Sequence, residues 1–352
     1  MVLIQPVQGF PQPQVSCSVS IIIKALNEEN GIEETIESAL RAIGGMSGEV
    51  ILADSCSTDR TIELASAYPI RIVQLANPQE KCCGIGPQLG YQHSCGEFVY
   101  ILDGDMKILE GFLEEALAVM ERQPEVAGIG GKVVELNTVS LEYIAREQRV
   151  AAHREPGVVD RLDSGGLYRR TAIDQAGYFS DRNLHSYEEY DLAVRLRALG
   201  WTLLRLPVKS ITHRGHETAP YRLLVRRWSS SYVFGPGELL RSAIGEPRFI
   251  MLVCGLRELR LYLAVFAWWV VLIGIWLIPA FLVTKFIAFL VALMVPFAVM
   301  AWRKKSLSAA VYAVVSWCFQ AAGLVVGLIQ PRRSAHEPIA SKILKDYGGV
   351  SS

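Results

Sequence analysis

The sequence predicts an α/β domain with a doubly wound, mostly parallel sheet, followed by transmembrane helices. From residue 19 to residue 103, β-branched runs alternate with helical stretches, the pattern of parallel strands joined by crossover helices. After residue 258 come three apolar segments, each near the ~20 residues that a membrane-spanning helix needs. A hydrophobic content of 51% and a mean hydropathy of +0.26 agree with a globular domain joined to a membrane part.

The strands and helices of the globular part follow in a regular order. The β-branched run at 19–23 predicts a buried parallel strand, and a helix is expected after it at 31–43. The later elements are expected as strands at 49–53, 70–75, 98–102, 126–134 and 202–206, helices at 59–68, 88–94, 111–122 and 187–199, and an amphipathic stretch at 139–152. Such sheets bind ligands at the carboxyl ends of their parallel strands, so the residues that follow these strands are site candidates.

The composition divides the chain into five parts. They are a flexible tail at 1–17, a cytoplasmic globular domain at 18–235, an interfacial linker at 236–258, a transmembrane region of two or three helices at 259–330, and a tail at 331–352. The first residues are rich in Gln and Pro and lack the charged start and apolar core of a signal peptide.

The candidate spans are 259–278, 281–301 and 307–329. Arginines and lysines favour the cytoplasmic side, so Arg257, Arg260 and the basic cluster at 303–305 place the globular domain there. We therefore expect a multi-pass protein of the inner (plasma) membrane, with membrane lipids as partners. Three full spans would put Arg332 and Arg333 outside, against the charge rule, so a re-entrant or interfacial third segment stays open.

Charge and cysteine content narrow the classes of partner. The chain has 35 Lys and Arg residues and 35 Asp and Glu residues. A net charge of zero gives no overall attraction to nucleic acid, so we expect no nucleic-acid partner. The seven cysteines show no metal-ligand spacing, which favours reduced thiols in a cytosolic environment.

Two carboxylates one residue apart, Asp103 and Asp105, follow the strand expected at 98–102. Oxygen ligands suit a hard divalent cation that also binds phosphate oxygens, so Mn²⁺ or Mg²⁺ is expected. A polar turn is the alternative, because Asp and Gly are common in turns for conformational reasons. Asp54 at a neighbouring strand end favours the metal site. His213 alone is more often structural, but its imidazole could complete the coordination.

Other polar residues follow the same strands. Asn27 and Glu28 come after the first strand, where they could also simply begin a helix. Asp54 could accept hydrogen bonds from a nucleobase or ribose, or only cap a turn. Lys81, in a Gly-containing loop, could bind phosphate or merely face solvent. The sequence has no Walker-type loop, which argues against an ATPase.

An acidic stretch begins the helix expected at 187–199. Glu189 stands at capping-box spacing from Ser186, and Asp191 stands at i,i+4 from Arg195, so both have structural alternatives. Three carboxylates at one helix start exceed what a cap needs. A carboxylate there, in Glu188 or Glu189, could act as general base toward an acceptor hydroxyl.

Taken in order, these motifs resemble the family-2 glycosyltransferases of the GT-A fold. Residues 19–28 resemble that family's opening strand and Asn-Glu, 53–61 its strand-end Asp and Ser-Thr-Asp-x-Thr, 98–105 its DxD strand, 165–170 its Gly-Gly…Arg-Arg segment, and 188–196 its acidic pair followed by x-Asp-Leu…Arg-Leu. His213 falls at the family's late His. The resemblance covers roughly residues 18–235 and depends on the ordered set of motifs.

The resemblance implies inverting transfer of a single sugar from a nucleotide diphosphate sugar, expected to be a UDP-sugar. The acceptor would be a hydroxyl or phosphate of a lipid-linked molecule or glycan, in cell-envelope or exopolysaccharide synthesis. The implied roles are metal binding by Asp103, Asp105 and His213, nucleotide binding by Ala25, Asn27, Glu28, Asp54, Lys81 and Asp103, base catalysis by Glu189 with Glu188, and acceptor binding by Gly165, Gly166, Asp191, Arg227 and Trp228.

The sequence departs from this family at several positions. Lys24 stands where Pro is usual, Ser55 where a second Asp is common, Gln88 where Asn is usual, and Glu189 where Asp is more frequent. Processive synthases of the family carry Gln-x-x-Arg-Trp. Leu224 occupies the Gln position before Arg227 and Trp228, which favours an enzyme that transfers one sugar.

Two other classes stay open. A metal-dependent sugar nucleotidyltransferase shares strand-end aspartates but does not need the acidic helix start. A non-catalytic membrane scaffold with a nucleotide-binding fold should carry paired charges inside its spans, where Lys285 is the clear charge. The basic residues Arg222, Arg226 and Arg227 fit either anionic lipid or a lipid-linked phosphate acceptor.

Overall fold

A computed structural model describes residues 18–136, 152–163, 165–214 and 219–346 of the chain. The tail expected at 1–17 and nearly all of the amphipathic stretch expected at 139–152 lie outside the described residues, as do residues 347–352.

A mixed sheet forms the centre of the globular part. Its strands are β1 (Val19–Ala25), β2 (Gly48–Asp54), β3 (Arg71–Leu75), β4 (Phe98–Asp103), β5 (Met106–Ile108), β6 (Val126–Glu135), β7 (Gly157–Val159), β8 (Gly166–Arg169), β9 (Thr202–His213) and β10 (Ser341–Lys345). Their spatial order is β10-β3-β2-β1-β4-β8-β6-β9-β5, and β7 pairs with β9.

The first four strands in the chain pair in parallel in the order β3-β2-β1-β4. Next to β4 the sheet becomes mixed, because β8 runs antiparallel to both β4 and β6, while β6 and β9 are parallel. This arrangement confirms the predicted fold class. It also brings the carboxyl ends of β1, β2 and β4 to one edge of the sheet, where ligands of such folds bind.

The described helices cover both faces of the sheet and form the apolar part that follows it. They are α1 (Ile32–Ile43), α2 (Thr61–Ala65), α3 (Ile85–Gln92), α4 (Phe112–Arg122), α5 (Arg170–Gln175), α6 (Glu188–Ala198), α7 (Pro220–Ser229), α8 (Gly235–Ser242), α9 (Phe249–Gly255), α10 (Glu258–Leu277), α11 (Leu282–Lys304) and α12 (Leu307–Ile329). The apolar faces of α1 and α4 pack in one buried cluster, and those of α3, α5 and α6 pack in another. The sheet is therefore doubly wound.

The segment 236–258, expected as an interfacial linker, contains the two short helices α8 and α9. Leu239 and Leu252 are fully buried in a cluster that also contains Tyr190 of α6. These helices therefore pack on the globular part and do not form an extended connection.

The segment 331–346, expected as a tail, is bound to the globular part and is called the return segment below. Its strand β10 pairs antiparallel with β3 at the edge of the sheet. Arg332 forms an ion pair of 2.5 Å with the fully buried Asp181. The sequence does not reveal this strand, because an edge strand pairs through its main chain with one neighbour and needs little apolar alternation.

Within the described part of the chain, three helices, α10, α11 and α12, are long and apolar enough to cross a membrane. They have 20, 23 and 23 residues, and the apolar windows of α10 and α11 are 11% and 0% buried within the protein. The corresponding value for α12 is 33%. The predicted apolar segments are thus confirmed as helices, and α12 differs from the other two in how much protein it contacts.

The close approach of α3 to β1 depends on Gly90. A Cβ atom added to this residue would lie 2.2 Å from Cγ2 of Ile22. Because both elements are part of the packed core, we expect Gly90→Ala to reduce the free energy of unfolding by about 1–3 kcal/mol. Thermal unfolding in detergent measures the effect.

Gly274→Ala is the matched control, since a Cβ there meets nothing within 4 Å and alanine favours a helix. Equal melting temperatures for Gly90→Ala and the natural chain would contradict the close contact between α3 and β1.

Candidate active site

The Asp-Gly-Asp turn after β4 is tied to the end of β1. The amide of Gly104 donates to the carbonyl of Lys24 at 3.0 Å, and the Thr35 hydroxyl donates to the Gly104 carbonyl at 2.8 Å. A Cβ on Gly104 would lie 2.6 Å from Cγ of Glu28. Glycine is therefore required between the two aspartates because the Glu28 side chain packs against the turn.

Asp103 forms an ion pair with a lysine from the end of β1. Nζ of Lys24 lies 2.9 Å from Oδ1 of Asp103 and 3.3 Å from Oε1 of Glu188. The lysine side chain is 20% exposed. One ammonium group thus connects the DxD turn to the acidic start of α6, two motifs that are far apart in the sequence.

Asp105 faces His213, which ends β9. Nε2 of His213 lies 3.3 Å from Oδ2 of Asp105, and its Nδ1 lies 2.6 Å from Oε2 of Glu135. Burial alone would lower the pKa of His213, but its hydrogen bonds to the two carboxylates outweigh burial and raise the pKa to about 9. At neutral pH this imidazole is protonated and holds both carboxylates.

The donor set at this turn fits a divalent cation. Among the described residues, no three His, Cys, Asp or Glu side chains already form a metal-binding cluster. However, Oδ1 of Asp103 is buried and accepts no hydrogen bond from the described residues, although Lys24 lies within ion-pair distance. Carboxylate oxygens suit Mg²⁺ or Mn²⁺, and Glu135 would orient the His213 ring as an outer partner. Metal binding by His213 would require loss of its proton.

Glu28 lies beside the same turn. Burial is the main reason that its pKa rises to about 7, and the nearby Asp105 and Asp59 carboxylates raise it further. The guanidinium of Arg226 in α7 acts in the opposite direction. The basic helix α7 therefore lies within electrostatic range of Glu28.

The residues expected to bind nucleotide follow β1 and β2. Ala25 is the buried last residue of β1. Asn27 adopts a left-handed conformation with φ of 60°, and its side-chain oxygen accepts from the amide of Thr58 at 2.8 Å. Asp54 is fully buried and accepts from the Ser57 amide at 3.0 Å and the Gln74 side chain at 2.9 Å. These bonds join the turns after β1 and β2 into one rigid edge.

Lys81 also reaches this edge. Its Nζ donates to the carbonyl of Cys56 at 3.1 Å. Cys56 has a φ of 62°, a left-handed conformation that is uncommon for a residue with a side chain. The lysine thus supports the turn after β2 and remains half-buried.

The start of α6 is not a capping box. Tyr187 precedes the helix with a φ of 67°, and no side-chain cap hydrogen bond is formed there by the described residues. The Ser186 hydroxyl donates instead to the carbonyl of Tyr232 at 2.8 Å. The structural alternative for Glu189 is therefore wrong, and its carboxylate is directed elsewhere.

Glu189 approaches the backbone of Gly165, whose amide lies 3.4 Å from Oε1 of the carboxylate. Burial is the main cause that raises the pKa of Glu189 to about 7. The Lys24 ammonium lowers it and the neighbouring Glu188 raises it. A carboxylate whose pKa lies near neutrality is suited to proton transfer at cellular pH.

A small pocket lies between these groups. Lys24, Glu188, Glu189 and Ser180 contribute to its wall. The hydroxyl of Ser180 is buried and has no hydrogen-bond partner among the described residues. The pocket therefore presents one ammonium, two carboxylates and one unpaired hydroxyl to whatever it binds.

The remaining acceptor candidates differ in their positions. Gly165 has a φ of +91°, and a Cβ there would lie 2.8 Å from the carbonyl oxygen of Ile101, so glycine is required beside Glu189. Gly166 begins β8 and pairs with Ile101. Asp191 has no exposed surface and is bonded to Arg195 at 2.8 Å and Arg248 at 2.5 Å.

Asp191 therefore holds α6 to the neighbouring segments, which corrects the expectation that it binds acceptor. Arg227 and Trp228 of α7, also expected to bind the acceptor, contact aromatic side chains of the protein itself. Trp228 packs edge-on against Phe234 and Phe319, with ring centroids 5.2 and 5.6 Å apart. The guanidinium of Arg227 lies 5.4 Å from the ring centre of Tyr232.

Comparison with known proteins identifies the family of this domain. Residues 20–177 match the family model "Glycosyl transferase family 2", which spans β1 to the end of α5 and includes the DxD turn. The chain contains a family 2 glycosyltransferase domain. Its fold is shared with the mannosyltransferase PcManGT from Pyrobaculum calidifontis, solved with GDP-Man and Mn²⁺. That match has a TM-score of 0.58 at 18% identity and covers 92% of this chain and 91% of the other.

Several curated relatives also match part of this chain. The pre-mycofactocin glycosyltransferase of Mycobacterium tuberculosis is 26% identical over 265 residues, covering 70% of this chain and 52% of the relative. The dolichol-phosphate mannosyltransferase of Pyrococcus furiosus is 26% identical over 120 residues, or 33% of each chain. Against three of the curated relatives, the match covers only 29–33% of their length.

Sequence reasoning missed two groups in the site. Lys24 stood out only as a departure from the usual proline, and its contact with Asp103 depends on the register of β1 and β4, in which the two residues are paired. Glu135 carried no motif at all. Its pairing with His213 in β6 and β9 is the signal that identifies it, and that pairing is visible only in the folded sheet.

The ion pairs of Lys24 lead to a test of stability. In Lys24→Met the carboxylates of Asp103, Glu188 and Glu189 lose their counterion, so the pKa of Glu189 should rise further above 7. A carboxyl group whose pKa is raised in the folded state destabilises the protein increasingly as the pH rises above the ordinary pKa of that group, which is 4.5 for Glu189. We expect Lys24→Met to reduce the free energy of unfolding by about 1–3 kcal/mol at pH 8, which is less than the 3–5 kcal/mol for breaking a fully buried pair. This loss should become smaller toward pH 5.

Thermal unfolding across this pH range measures the loss. Lys107→Met is the matched control, because Lys107 pairs with Glu34 on the surface and such pairs contribute about 0–1 kcal/mol. A loss for Lys24→Met that does not change with pH would contradict the assigned role of the ammonium group.

Proposed function

We propose that this protein is a membrane-associated glycosyltransferase that moves a single sugar from a nucleotide diphosphate sugar to a lipid-linked or glycan acceptor, with inversion. The observation that carries the proposal is the position of Glu189. Its carboxylate shares one pocket with the lysine that contacts the DxD aspartate. A carboxylate base in a pocket whose wall includes the lysine bound to Asp103 suits a direct displacement at the anomeric carbon.

The donor would lie along the edge formed by the turns after β1, β2 and β4. The backbone near Ala25, Asn27 and Glu28, together with Asp54 and Lys81, would hold the nucleoside side of the donor, and Asp103 would face its diphosphate. A divalent cation at Asp103, Asp105 and His213 would offset charge on the departing diphosphate when bound. Lys24 would supply a second positive charge at the same place.

The acceptor hydroxyl would lose its proton to Glu189 as its oxygen attacks the anomeric carbon. The new glycosidic bond forms as the bond to the diphosphate oxygen breaks, so the configuration is inverted without a covalent enzyme intermediate. Glu188, bound to Lys24 at 3.3 Å, would keep the ammonium in place. The glycine at 165 lets the acceptor approach the backbone closely.

The acceptor would reach the pocket from the side of α7. This helix carries Arg222, Arg226 and Arg227, and the charge of Arg226 lowers the pKa of Glu28. Such a basic surface suits an acceptor linked to lipid through phosphate, and it also attracts anionic lipid by about 1 kcal/mol per basic residue near the membrane. Leu224 is buried in α7 where processive enzymes carry Gln, which favours transfer of one sugar.

The relatives support a role in glycan synthesis. They include the dolichol-phosphate mannosyltransferase of Pyrococcus furiosus and the succinoglycan biosynthesis protein ExoO of Rhizobium meliloti. We propose a cytoplasmic catalytic domain at 18–235 on a multi-pass protein of the inner (plasma) membrane, acting in cell-envelope or exopolysaccharide synthesis. A UDP-sugar is the expected donor, and the names of the mannosyltransferase relatives make GDP-mannose the second candidate.

A donor panel tests the proposed activity. The solubilised full chain with native lipid extract should transfer sugar from one of several UDP- or GDP-sugars in the presence of Mn²⁺ or Mg²⁺. EDTA and Asp105→Ala should each reduce transfer at least about 100-fold, because both remove the cation that offsets the diphosphate charge. Glu110→Ala on the exposed surface is the control.

Release of pyrophosphate from nucleoside triphosphate and sugar phosphate would instead identify a nucleotidyltransferase. Transfer that is unaffected by EDTA and by Asp105→Ala would reject the assigned metal site.

The proposed base predicts a pH profile. Because Glu189 must be ionised to accept a proton and its pKa is about 7, kcat should rise with pH up to about 7 and level off above it. Glu189→Gln should reduce kcat about 10²–10⁴-fold at every pH and retain binding of the nucleoside diphosphate. Glu114→Gln, on the exposed face of α4, is the control.

Calorimetric titration with the nucleoside diphosphate separates loss of chemistry from loss of folding. If Glu189→Gln keeps the kcat and pH profile of the natural chain, another group is the base.

A further inference from the structure

The return segment (331–346) packs directly on the globular part. β10 extends the central sheet by pairing with β3, with Lys342 opposite Gln74. Arg71 of β3 forms an ion pair of 2.8 Å with Asp346, and Nζ of Lys345 donates to the carbonyl of Ser66 at 2.7 Å. Residues that follow all three apolar helices are therefore on the same side of the membrane as the sheet.

The helix α12 contacts elements that precede the first apolar helix, along most of its length. Near its start, the rings of Tyr312 and Tyr221 are 5.4 Å apart. Near its middle, Phe319 packs against Trp228 in α7. Near its end, a Cβ added to Gly327 would lie 2.1 Å from the carbonyl oxygen of Phe234, which shows direct contact between the two backbones.

A helix that crosses the hydrocarbon has ends about 30 Å apart on opposite sides. Contacts near both ends of α12 instead involve one segment of the globular part, from Tyr221 in α7 to Phe234 just before α8. In this segment α7 carries the exposed arginines Arg222 and Arg226. Charged residues of that kind are costly in the hydrocarbon interior. The contacts therefore place α12 along the membrane surface beneath the globular part.

The other two apolar helices form an antiparallel hairpin. The indole of Trp268 in α10 donates to the carbonyl of Ala292 in α11 at 2.9 Å, and the rings of Trp276 and Phe289 are 5.7 Å apart. At 1.5 Å per residue, their 20 and 23 residues reach about 30 and 35 Å, enough to cross the hydrocarbon. Their apolar windows contact little other protein, so lipid is the partner that their composition fits.

We propose that only α10 and α11 cross the membrane, as one hairpin, and that α12 lies in the interface between the lipid and the globular part. An even number of crossings follows from the sheet pairing of β10, whatever the donor or acceptor of the enzyme. The basic positions agree, because Arg257 and Arg260, the cluster at 303–305, and Arg332 and Arg333 then share one side. This removes the conflict that three crossings create with the charge rule.

Single introduced cysteines test the proposal in the full chain. The positions are exposed: Glu110→Cys marks the side of the globular part, Pro279→Cys the hairpin loop, Lys304→Cys the end of α11, and Ser334→Cys the return segment. Each variant is treated with a membrane-impermeant maleimide in sealed membranes, before and after permeabilisation, and the natural chain gives the background from native cysteines.

We expect Lys304→Cys and Ser334→Cys to be labelled on the same side as Glu110→Cys, and Pro279→Cys on the opposite side. Labelling of Ser334→Cys on the opposite side from Glu110→Cys would establish an odd number of crossings and overturn the proposal. Labelling of Pro279→Cys on the side of Glu110→Cys, or of Lys304→Cys on the other side, would also overturn it.

A disulfide across β3 and β10 tests the pairing independently. Gln74 and Lys342 are directly opposite in an antiparallel pair, where Cα atoms lie about 4.5–5.5 Å apart and cysteines can be bridged. The double variant Gln74→Cys, Lys342→Cys should therefore cross-link in intact membranes under mild oxidation, and each single variant should not. Absence of this cross-link in a chain that unfolds at the natural temperature would overturn the proposal.

Discussion

The ammonium group of Lys24 is the contact on which the arrangement of the site depends. It joins Asp103 at the end of β4 to Glu188 at the start of α6, and it lowers the pKa of Glu189 against the effect of burial. Without this charge, the Glu188 and Glu189 carboxylates would share one pocket with the Asp103 carboxylate nearby and no cationic side chain in the pocket wall, which is unfavourable. The parallel pairing of β1 with β4 puts Lys24 opposite Asp103, so the register of the sheet fixes the electrostatics of the pocket.

A second constraint acts on the other aspartate. The imidazole of His213 lies between Asp105 and Glu135, and these three residues come from different parts of the sheet region. When protonated, the ring binds both carboxylates and offsets part of their negative charge. The two aspartates of the DxD turn are thus each paired with a cationic side chain, and a divalent ion would compete with these groups for the same oxygens.

The strand-end residues and the parallel half of the sheet could be predicted from sequence because they follow short β-branched runs. The strand expected at 202–206 is longer, since β9 continues past Pro207 to His213, and a proline inside a strand pattern normally ends the prediction. Asp191 was misassigned because an acidic residue at a helix start gives no sign of burial, and its partner Arg248 comes from a distant segment. Long-range pairing also hides β10, whose residues 341–345 contain little apolar alternation.

The pairing of β10 with β3 also has a mechanical consequence. The globular part is joined to the apolar helices both before α10 and after α12, so two separate attachments restrain it. A domain held at one point can rotate about its tether, whereas one held at two points keeps a fixed height and tilt above the lipid. The pocket would then face the membrane at a constant angle, and a lipid-bound molecule would reach it by lateral diffusion within a single leaflet.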